Sequence, residues 1–396
     1  MTNSKHIPKR RFLGFEGEWE QKQLDELSTH RSGTAIENYF SKNGLYKVIS
    51  IGSYGLDGNY IDQGIRAISN DITDNQVVKK NELTMVLNDK TSNGTIIGRT
   101  LLIDSSDEFV VNQRTEIITP KNVFNPLFAF ALLNGKFRDK VKKIVQGGTQ
   151  IYVNYSSVKE LQLHIPNLIE QQQLGILFQT IDRLITLHQH KLDKLKNLKK
   201  SYHAELFPAE GERVPKRRFP GFEGEWEEKK LGEVVEKFDN LRIPVASKDR
   251  IAGNIPYYGA NGIQDYVEGF THDGEFVLLA EDGANDLNDY PVRYVNGKVW
   301  VNNHAHVIQG KNNLIDNKFL LFAIKQIQME PYLVGGGRAK LNAEIMMSLP
   351  LTAPEISEQR MIGAFLMKVE KQISLQQQKL NKLKDLKKAY LNELFV

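Results

Sequence analysis

An internal repeat constrains this chain more than any other feature. Residues 8–27 read PKRRFLGFEGEWEQKQLDEL and residues 215–234 read PKRRFPGFEGEWEEKKLGEV, with fifteen of twenty positions identical. A second pair of segments, residues 166–207 and 354–395, matches at a constant offset of 188 without a gap. A repeat of this length in two copies indicates a duplication, because solenoids use shorter and more numerous repeats.

The stretches between the matched segments have diverged. Their clearest common trace is VNQRTEII (Val111–Ile118) against VNNHAHVI (Val301–Ile308). The chain therefore reads as an opening motif, a variable domain and a long helix, followed by the same three parts again. The expected boundaries are residues 1–164 and 215–353 for the two variable domains, 165–207 and 354–396 for the helical regions, and 208–214 for a linker.

Each helical region carries a heptad pattern, in which apolar residues recur at alternating steps of three and four. A helix of about 38 residues is ~57 Å long. We expect the two amphipathic helices to pack on each other as a coiled coil, either as a scaffold alone or also as a ruler and a platform for partners. The expected contact residues are Ile181, Ile185, Leu192, Leu195 and Tyr202 in the first helix and Val369, Ile373, Leu380, Leu383 and Tyr390 in the second.

Both variable domains alternate short apolar runs with turn residues, which is typical of α+β domains rich in short strands. In the second domain, Val295–Val299 reads VNGKV, and its Asn-Gly pair predicts a hairpin turn. Each domain ends in a helical stretch, at residues 125–145 and 316–327. The predicted fold class is therefore α+β, with two globular domains and two long helices related by a pseudo-twofold repeat.

Polar loops between the strands supply candidate nucleic-acid contacts. Asn, Gln, Arg and Lys read base edges, and glycine lets the backbone approach closely. The same residue types also simply form turns, and for any single loop that alternative is open. The candidates in the first domain are Tyr54, Lys90, Ser92, Asn93, Arg99, Asn112, Arg114, Gly148 and Gln150. Those in the second are Tyr257, Tyr258, Asn261, Asn285, Asn303, His304, Gly336, Arg338 and Lys340.

Catalytic and metal-binding motifs are missing from the sequence. There is no cysteine, which excludes disulfides, thiolate nucleophiles and cysteine-based zinc sites. No Walker loop, dinucleotide fingerprint or H-E-x-x-H motif occurs. His304 and His306 have no third ligand at a suitable spacing, so no metal site is predicted. The net charge of +4 permits nucleic-acid binding without demonstrating it, and without an apolar leader or span we expect a cytoplasmic protein.

The whole chain resembles the specificity subunits of type I restriction-modification systems. The resemblance depends on the duplicated GFEGEWE motif (Gly14–Glu20 and Gly221–Glu227), on the KLxKLKxLKK helices, and on IPYYGANGIQDYV (Ile255–Val267) with LLAEDGAN (Leu278–Asn285). It implies two target-recognition domains, each reading half of a bipartite, asymmetric DNA site, held apart by antiparallel helices.

The resemblance also implies partners. Two adenine-N6 methyltransferase subunits and two restriction-translocase subunits would carry the S-adenosylmethionine, ATP and magnesium chemistry, while this chain would be non-catalytic and hold no cofactor. An alternative from another class is a coiled-coil scaffold that displays two β-rich protein-binding modules without contacting DNA. Binding that weakens steeply with salt would argue against the scaffold, because phosphate contacts release counterions.

Overall fold

The computed structural model describes residues 6–335 and 339–396. The chain folds into two compact units, which we call unit 1 (residues up to Gln189 together with Lys379–Val396) and unit 2 (His190–Gln378). Each unit thus combines one variable domain with parts of both long helical segments. The domain boundaries given above, at residues 164, 207, 214 and 353, remain predictions.

Unit 1 is built from short strands and helices. Its strands are β1 (Glu20–Gln23), β2 (Ser28–Ser32), β3 (Tyr46–Ile49), β4 (Arg66–Ala67), β5 (Val77–Val78), β6 (Leu83–Val86), β7 (Asn88–Asp89), β8 (Thr100–Leu102), β9 (Phe109–Val111), β10 (Thr115–Pro120), β11 (Gln146–Gly147), β12 (Ile151–Tyr152) and β13 (Gln162–Ile165). Its helices are α1 (Leu24–Leu27), α2 (Asp71–Asp74), α3 (Pro126–Asn134), α4 (Lys136–Lys143), α5 (Tyr155–Lys159) and the first part of α6 (Leu168–Leu206).

The sheets of unit 1 are small. Two have four strands, in the orders β2-β10-β6-β8 and β4-β3-β9-β5. A third, β11-β12-β7, joins segments that lie far apart in the sequence, and β1 pairs with β13. The helical stretch expected at 125–145 is present as α3 and α4, which meet at Gly135. Asn125 caps α3 by accepting a hydrogen bond from the Phe128 amide, and Pro126 occupies the first turn.

Unit 2 contains one large sheet. Its strands are β14 (Glu227–Lys230), β15 (Val235–Lys237), β16 (Ala252–Gly259), β17 (Gly262–Val267), β18 (His272–Ala280), β19 (Val292–Val301), β20 (Ala305–Gly310) and β21 (Pro350–Ala353). Its helices are α7 (Leu231–Val234), α8 (Asn317–Ile324), α9 (Ala343–Ser348) and most of α10 (Ile356–Glu393). Six strands form the order β15-β20-β18-β19-β16-β17, and β14 pairs with β21.

The predicted Asn-Gly hairpin is wrong. β19 runs without a turn from Val292 to Val301 and pairs with β18 along its length. Gly297 lies opposite Gly274, and both have positive φ, +91° and +145°. Glycine adopts these angles without steric cost. The two facing glycines therefore accommodate a local irregularity within the ladder, and the chain does not reverse there.

The opening motif closes the core of each unit. Trp19 is buried and packs edge-on against Phe128 and Phe395, while Trp226 packs in the same way against Phe207 and Phe319. The core of each unit therefore includes a Leu-Phe pair from the end of a long helix (Leu394-Phe395 in unit 1 and Leu206-Phe207 in unit 2). This repeated packing explains why the aromatic residues of both motifs are identical.

A buried ion pair joins each opening motif to the start of a long helix. Arg11 donates two hydrogen bonds to Glu170, at 2.8 and 2.7 Å, and Arg218 binds Glu358 in the same bidentate way. The side chains of Glu170 and Glu358 are 1% and 0% exposed. Hydrogen bonding to Glu170 and Glu358 raises the pKa of Arg11 and Arg218 against the opposing effect of burial. The pairs fix the motif on the helix in both units.

The long helices run antiparallel, as contacts within each unit show. In unit 1, the rings of Phe178 and Phe395 lie 5.3 Å apart, and Asp182 pairs with Lys387. In unit 2, Lys199 pairs with Glu370, and the ring of Tyr202 lies 4.9 Å from that of Phe365. In both units, the residue numbers of one helix increase in the direction in which those of the other helix decrease. Among the described residues, no helix combines the length and the apolar character needed to cross a membrane.

Candidate nucleic-acid interface

Pairing of β7 with β12 brings two predicted loops of unit 1 together. Asp89 lies opposite Ile151 in the ladder, so the loop that follows β7 and the loop that precedes β12 share one edge. We call these loops, Lys90–Thr95 and Gly148–Gln150, patch 1. Lys90, Ser92, Asn93, Gly148 and Gln150 are all exposed there. Patch 1 thus collects five of the predicted contact residues.

Asp89 holds the first loop from inside. Its carboxylate accepts hydrogen bonds from the Thr91 amide at 2.9 Å and the Ile96 amide at 2.7 Å. Burial opposes ionisation of Asp89, but these amide donors outweigh burial and lower its pKa. A carboxylate that accepts hydrogen bonds from several backbone amides stabilises one conformation of the loop. The backbone that carries Ser92 and Asn93 is therefore preorganised.

Arg138 of α4 holds the same loop from the other side. Its guanidinium donates to the carbonyls of Gly94, Thr95 and Ile97 at 2.7–2.9 Å. The side chain is 9% exposed, and none of its partners is a carboxylate. Burial lowers the pKa of Arg138 to about 10, so the group stays charged near neutral pH. The carbonyl oxygens supply the polar surroundings that a buried cation requires.

Four other candidates in unit 1 lie outside patch 1. Arg99 is half-buried and donates to the carbonyls of Thr95 and Leu56. Arg114 is exposed in a turn, with a positive φ of 66°. The predicted surface roles of Tyr54 and Asn112 are wrong. Tyr54 is 3% exposed and donates to the hydroxyl of Thr84, and Asn112 is buried with its amide committed to Ile36 and Glu37.

Unit 2 gathers its candidates around the loop after β18. Asn261 donates to the Gly283 carbonyl at 2.9 Å and accepts from the Asn285 amide at 3.0 Å. On the other side of the loop, Asp282 contacts His304 Nδ1 at 2.6 Å and forms a β-bridge with Lys340. We call Asn261, Asp282, Asn285, His304 and Lys340 patch 2. Asn303 is exposed next to His304.

A polar cleft of about 750 Å³ borders patch 2. Tyr258, Asn261, Asn285 and Arg293 line it together with Lys199 and Glu370 of the long helices. Arg293 donates to the carbonyl of Asn261 at 3.0 Å. The surface role predicted for Tyr257 is wrong, because its ring is 1% exposed and its hydroxyl bonds to the backbone of Val245. Gly336 and Arg338 lie outside the described residues.

A charged network lies beneath patch 2. Asp239, Glu281 and His306 place ligand atoms within 4.8 Å of one another, a grouping that is compatible with a metal ion. However, Arg242 binds Glu281 at 2.6 Å, Lys340 binds Glu281 at 3.0 Å, and both nitrogens of His306 contact acceptors, Asp239 and the Leu341 carbonyl. Arg242 and Lys340 already neutralise the acidic side chains of this network. The network therefore fits a structural support for the segment at Lys340 and Leu341 better than a metal centre.

The sequence of the chain matches a known family over both copies of the repeat. A model of the type I restriction modification DNA specificity domain matches residues 16–197 and 223–385, which together are most of the chain. The chain belongs to this family. The two matched ranges agree with the two copies of the sequence repeat, so each copy corresponds to one specificity domain.

Individual relatives carry the same family name. A Haemophilus influenzae protein named as a type I restriction enzyme specificity subunit is 49% identical over 139 residues, which are 35% of this chain and 35% of that protein. A Methanocaldococcus jannaschii protein, named as the MjaX specificity subunit, is 20% identical over 322 residues, 75% of this chain and 74% of its own length. The chain thus aligns with about a third of the first relative and about three quarters of the second.

A solved structure shares the fold. The S subunit of a type I restriction-modification system from M. genitalium is 17% identical, with a TM-score of 0.75 over 98% of this chain and 99% of that one. At this identity the likeness concerns the fold alone. It agrees with the α+β class and the long helices predicted for a specificity subunit.

The predicted coiled-coil residues lie on the inner faces of the two helices. Ile181, Leu192, Val369 and Leu380 are buried, and the other six predicted contact residues are half-buried. Leu198, which is outside the heptad pattern, is 42% exposed. The heptad pattern therefore identified the buried side of each helix correctly.

Sequence reasoning missed the residues that support the patches. Asp89, Arg138, Arg242 and Arg293 bind backbone or buried acids and were not among the candidates. The Asp89-x-Thr91 spacing is typical of a carboxylate that caps its own turn, so that signal was available. No local signal marks Arg138, because its partners lie 41 or more residues away in the sequence. Arg242 has one partner nearby, Asp239, but its partner Glu281 is 39 residues away.

Proposed function

We propose that this chain is the DNA-specificity subunit of a type I restriction-modification complex. Patch 1 reads one half of a bipartite, asymmetric site, and patch 2 reads the other half. The observation that carries the proposal is the contrast between the two patches and their surroundings. The opening motifs match at fifteen of twenty positions, and the buried Arg-Glu pairs and the acid-lysine contacts of the long helices recur at equivalent positions, whereas most residues of the exposed polar loops differ.

This contrast is what a two-target reader needs. A repeated framework suits two copies of one partner, and two different polar patches suit two different sequences of bases. The exposed amides and lysines of the patches match the donors and acceptors of base edges and phosphates. Their preorganisation by Asp89, Arg138 and Asn261 reduces the entropy lost on binding.

We propose further that the chemistry belongs to the partners. Two methyltransferase subunits would supply S-adenosylmethionine-dependent adenine methylation, and two restriction subunits would supply ATP- and magnesium-dependent translocation and cleavage. This chain would position them in the cytoplasm without catalysing a step and without a cofactor of its own.

Co-expression with a methyltransferase subunit, followed by genome-wide mapping of N6-methyladenine, tests the proposal. We expect methylation at a split sequence motif, with modified adenines on opposite strands. A stable complex that adds no methylation and binds DNA without salt dependence would contradict the proposal and favour the protein-binding scaffold.

A point variant makes the test residue-specific. Lys90→Glu removes an exposed cation from patch 1, so DNA affinity should fall and the slope of log K against log salt should flatten by about 0.9 for one lost phosphate contact. Lys143→Glu is the matched control, because Lys143 is equally exposed in unit 1 but lies at the end of α4 and not in patch 1. An equal effect of both variants would contradict the assignment of patch 1.

A further inference from the structure

The turn inside each opening motif is identical in the two units although it is exposed. Gly14–Glu18 and Gly221–Glu225 both read GFEGE. We call these segments the opening turns. Other exposed positions of the same motif have changed, namely Leu13 to Pro220, Gln21 to Glu228 and Gln23 to Lys230. Exposed residues of this motif can therefore differ between the two copies, so the identity of the opening turns needs a further reason.

The fold accounts for part of the identity. Gly14, Gly17, Gly221 and Gly224 have positive φ between 81° and 95°, which favours glycine. Arg11 donates to the Gly17 carbonyl while it binds Glu170, and Arg218 treats Gly224 and Glu358 in the same way. These contacts hold each turn in one conformation.

The fold accounts only in part for the glutamates of the turns. Glu16, Glu18, Glu223 and Glu225 are exposed, and none forms a hydrogen bond or an ion pair with another described residue. Glu20 and Glu227, in contrast, each pair with a lysine two residues away. Glu16 and Glu223 attract Arg11 and Arg218 and help to raise the pKa of these arginines. No contact among the described residues accounts for Glu18 and Glu225.

The opening turn of unit 2 lies next to exposed apolar side chains, and unit 1 has an exposed apolar residue at the corresponding position. In unit 2, the turn lines a cleft of about 340 Å³ together with Leu314, Pro354 and Ile356. Leu314 is 44% exposed. In unit 1, Val123 takes the place of Leu314, since Gln171 donates to the Val123 carbonyl as Gln359 donates to the Leu314 carbonyl. Val123 is 56% exposed.

From these observations we propose that the opening turns are docking sites for two copies of the same protein segment, an apolar residue flanked by lysines or arginines. The apolar residue would pack on Val123 or Leu314, and its basic neighbours would face the turn glutamates. Carboxylates repel the DNA backbone, so charge complementarity selects a basic protein surface. The inference rests on the proposed function, in which the partner present twice is the methyltransferase subunit.

The experiment is a titration of the full chain with the co-purified methyltransferase subunit, with stoichiometry read by native mass spectrometry. Glu16→Gln with Glu18→Gln adds two charges to the unit 1 turn, and Glu223→Gln with Glu225→Gln does the same in unit 2. We expect each pair to weaken one of the two binding events about tenfold, as rim charges typically do, and all four changes together to weaken both. DNA affinity of the chain alone should stay within about twofold.

Gln21→Lys with Gln23→Lys is the matched control. It also adds two charges to the unit 1 motif, at exposed positions that differ between the copies, and should leave partner binding unchanged. If the wild-type chain binds two methyltransferase subunits and the glutamate variants bind them equally well, the docking inference is wrong while the proposed function stands. If the wild-type chain binds none, the proposed function itself fails. Tighter DNA binding by the glutamate variants alone would assign the turns to the DNA side and overturn the inference.

Discussion

Removing the guanidinium of Arg138 should release patch 1 while leaving the rest of unit 1 folded. Arg138→Met keeps an unbranched stem in the same space but removes the donors to Gly94, Thr95 and Ile97. Two of the three hydrogen bonds are buried, so their carbonyls lose a charged donor in a place that water reaches poorly. Each such loss costs about 1–3 kcal/mol, so the two together cost about 2–6 kcal/mol for opening of the loop.

Amide hydrogen exchange measures this opening directly. The amides of Ile96, Gly98 and Arg99 donate to Asp89, Val86 and Ile96 in the folded loop. Since 1.4 kcal/mol is a factor of ten, the variant should exchange these amides about 30- to 20,000-fold faster at constant pH. Amides in α6 should keep their wild-type rates, because that helix does not contact the loop through Arg138.

Arg99→Met provides the control for the loss of a positive charge. Arg99 also donates to the Thr95 carbonyl, but its hydrogen bonds are exposed, so the same amides should accelerate less than about fivefold. Unchanged exchange in Arg138→Met would refute the view that this cation holds the loop. Equal acceleration in both variants would show that total charge, and not the buried geometry, is responsible.

Two further predictions concern unit 2. Burial lowers the pKa of His203 from its ordinary 6.5 to about 4, so between these values the unfolded chain binds a proton that the folded chain does not. The free energy of unfolding should therefore fall by about 1.4 kcal/mol per pH unit as the pH drops through this window. His203→Leu introduces the residue that the other copy has at the equivalent position, 391. In urea titrations this variant should show a weaker dependence of the free energy of unfolding on pH. Glu358→Gln leaves Arg218 facing a neutral amide in a buried site and should cost about 3–5 kcal/mol in urea unfolding followed by Trp226 fluorescence; a loss below about 1 kcal/mol would contradict a structural role for the pair.

The long-range framework was predictable because its signals are local and periodic. The heptads gave both helices, which extend over Leu168–Leu206 and Ile356–Glu393, close to the expected 165–207 and 354–396. The antiparallel direction came from the resemblance and is confirmed by the pairs at Asp182 and Glu370. Periodicity fixes which side of a helix is buried, but it carries no information about the loops.

The candidate site was predictable only in part, since residue type does not determine burial. Tyr54 and Tyr257 stand among polar and glycine residues in the sequence, but both rings lie in the core. The Asn-Gly pair at Gly297 suits a turn, but the long ladder with β18 keeps it extended. In each case a tertiary partner decides the outcome, and that partner is distant in the sequence.

Beneath their different surfaces, the two units keep one arrangement with inverted chemistry. Glu116 and His306 occupy the same position in the aligned VNQRTEII and VNNHAHVI segments. Glu116 accepts from His30 of the neighbouring strand β2, whereas His306 contacts Asp239, which follows the neighbouring strand β15. An acid pairs with a histidine at this position in both units, but the acid lies on the central strand in unit 1 and the histidine lies there in unit 2.

The acid-histidine pair is a feature that both copies of the repeat share. A buried acid needs a hydrogen-bonding partner, and a change on one strand is tolerated only when the facing strand supplies the complementary group. At this position, the change from Glu116 to His306 is accompanied by a complementary partner in each unit. Two units that share the buried ion pairs of their opening motifs but differ in their exposed loops are what the proposed readers of different half-sites require.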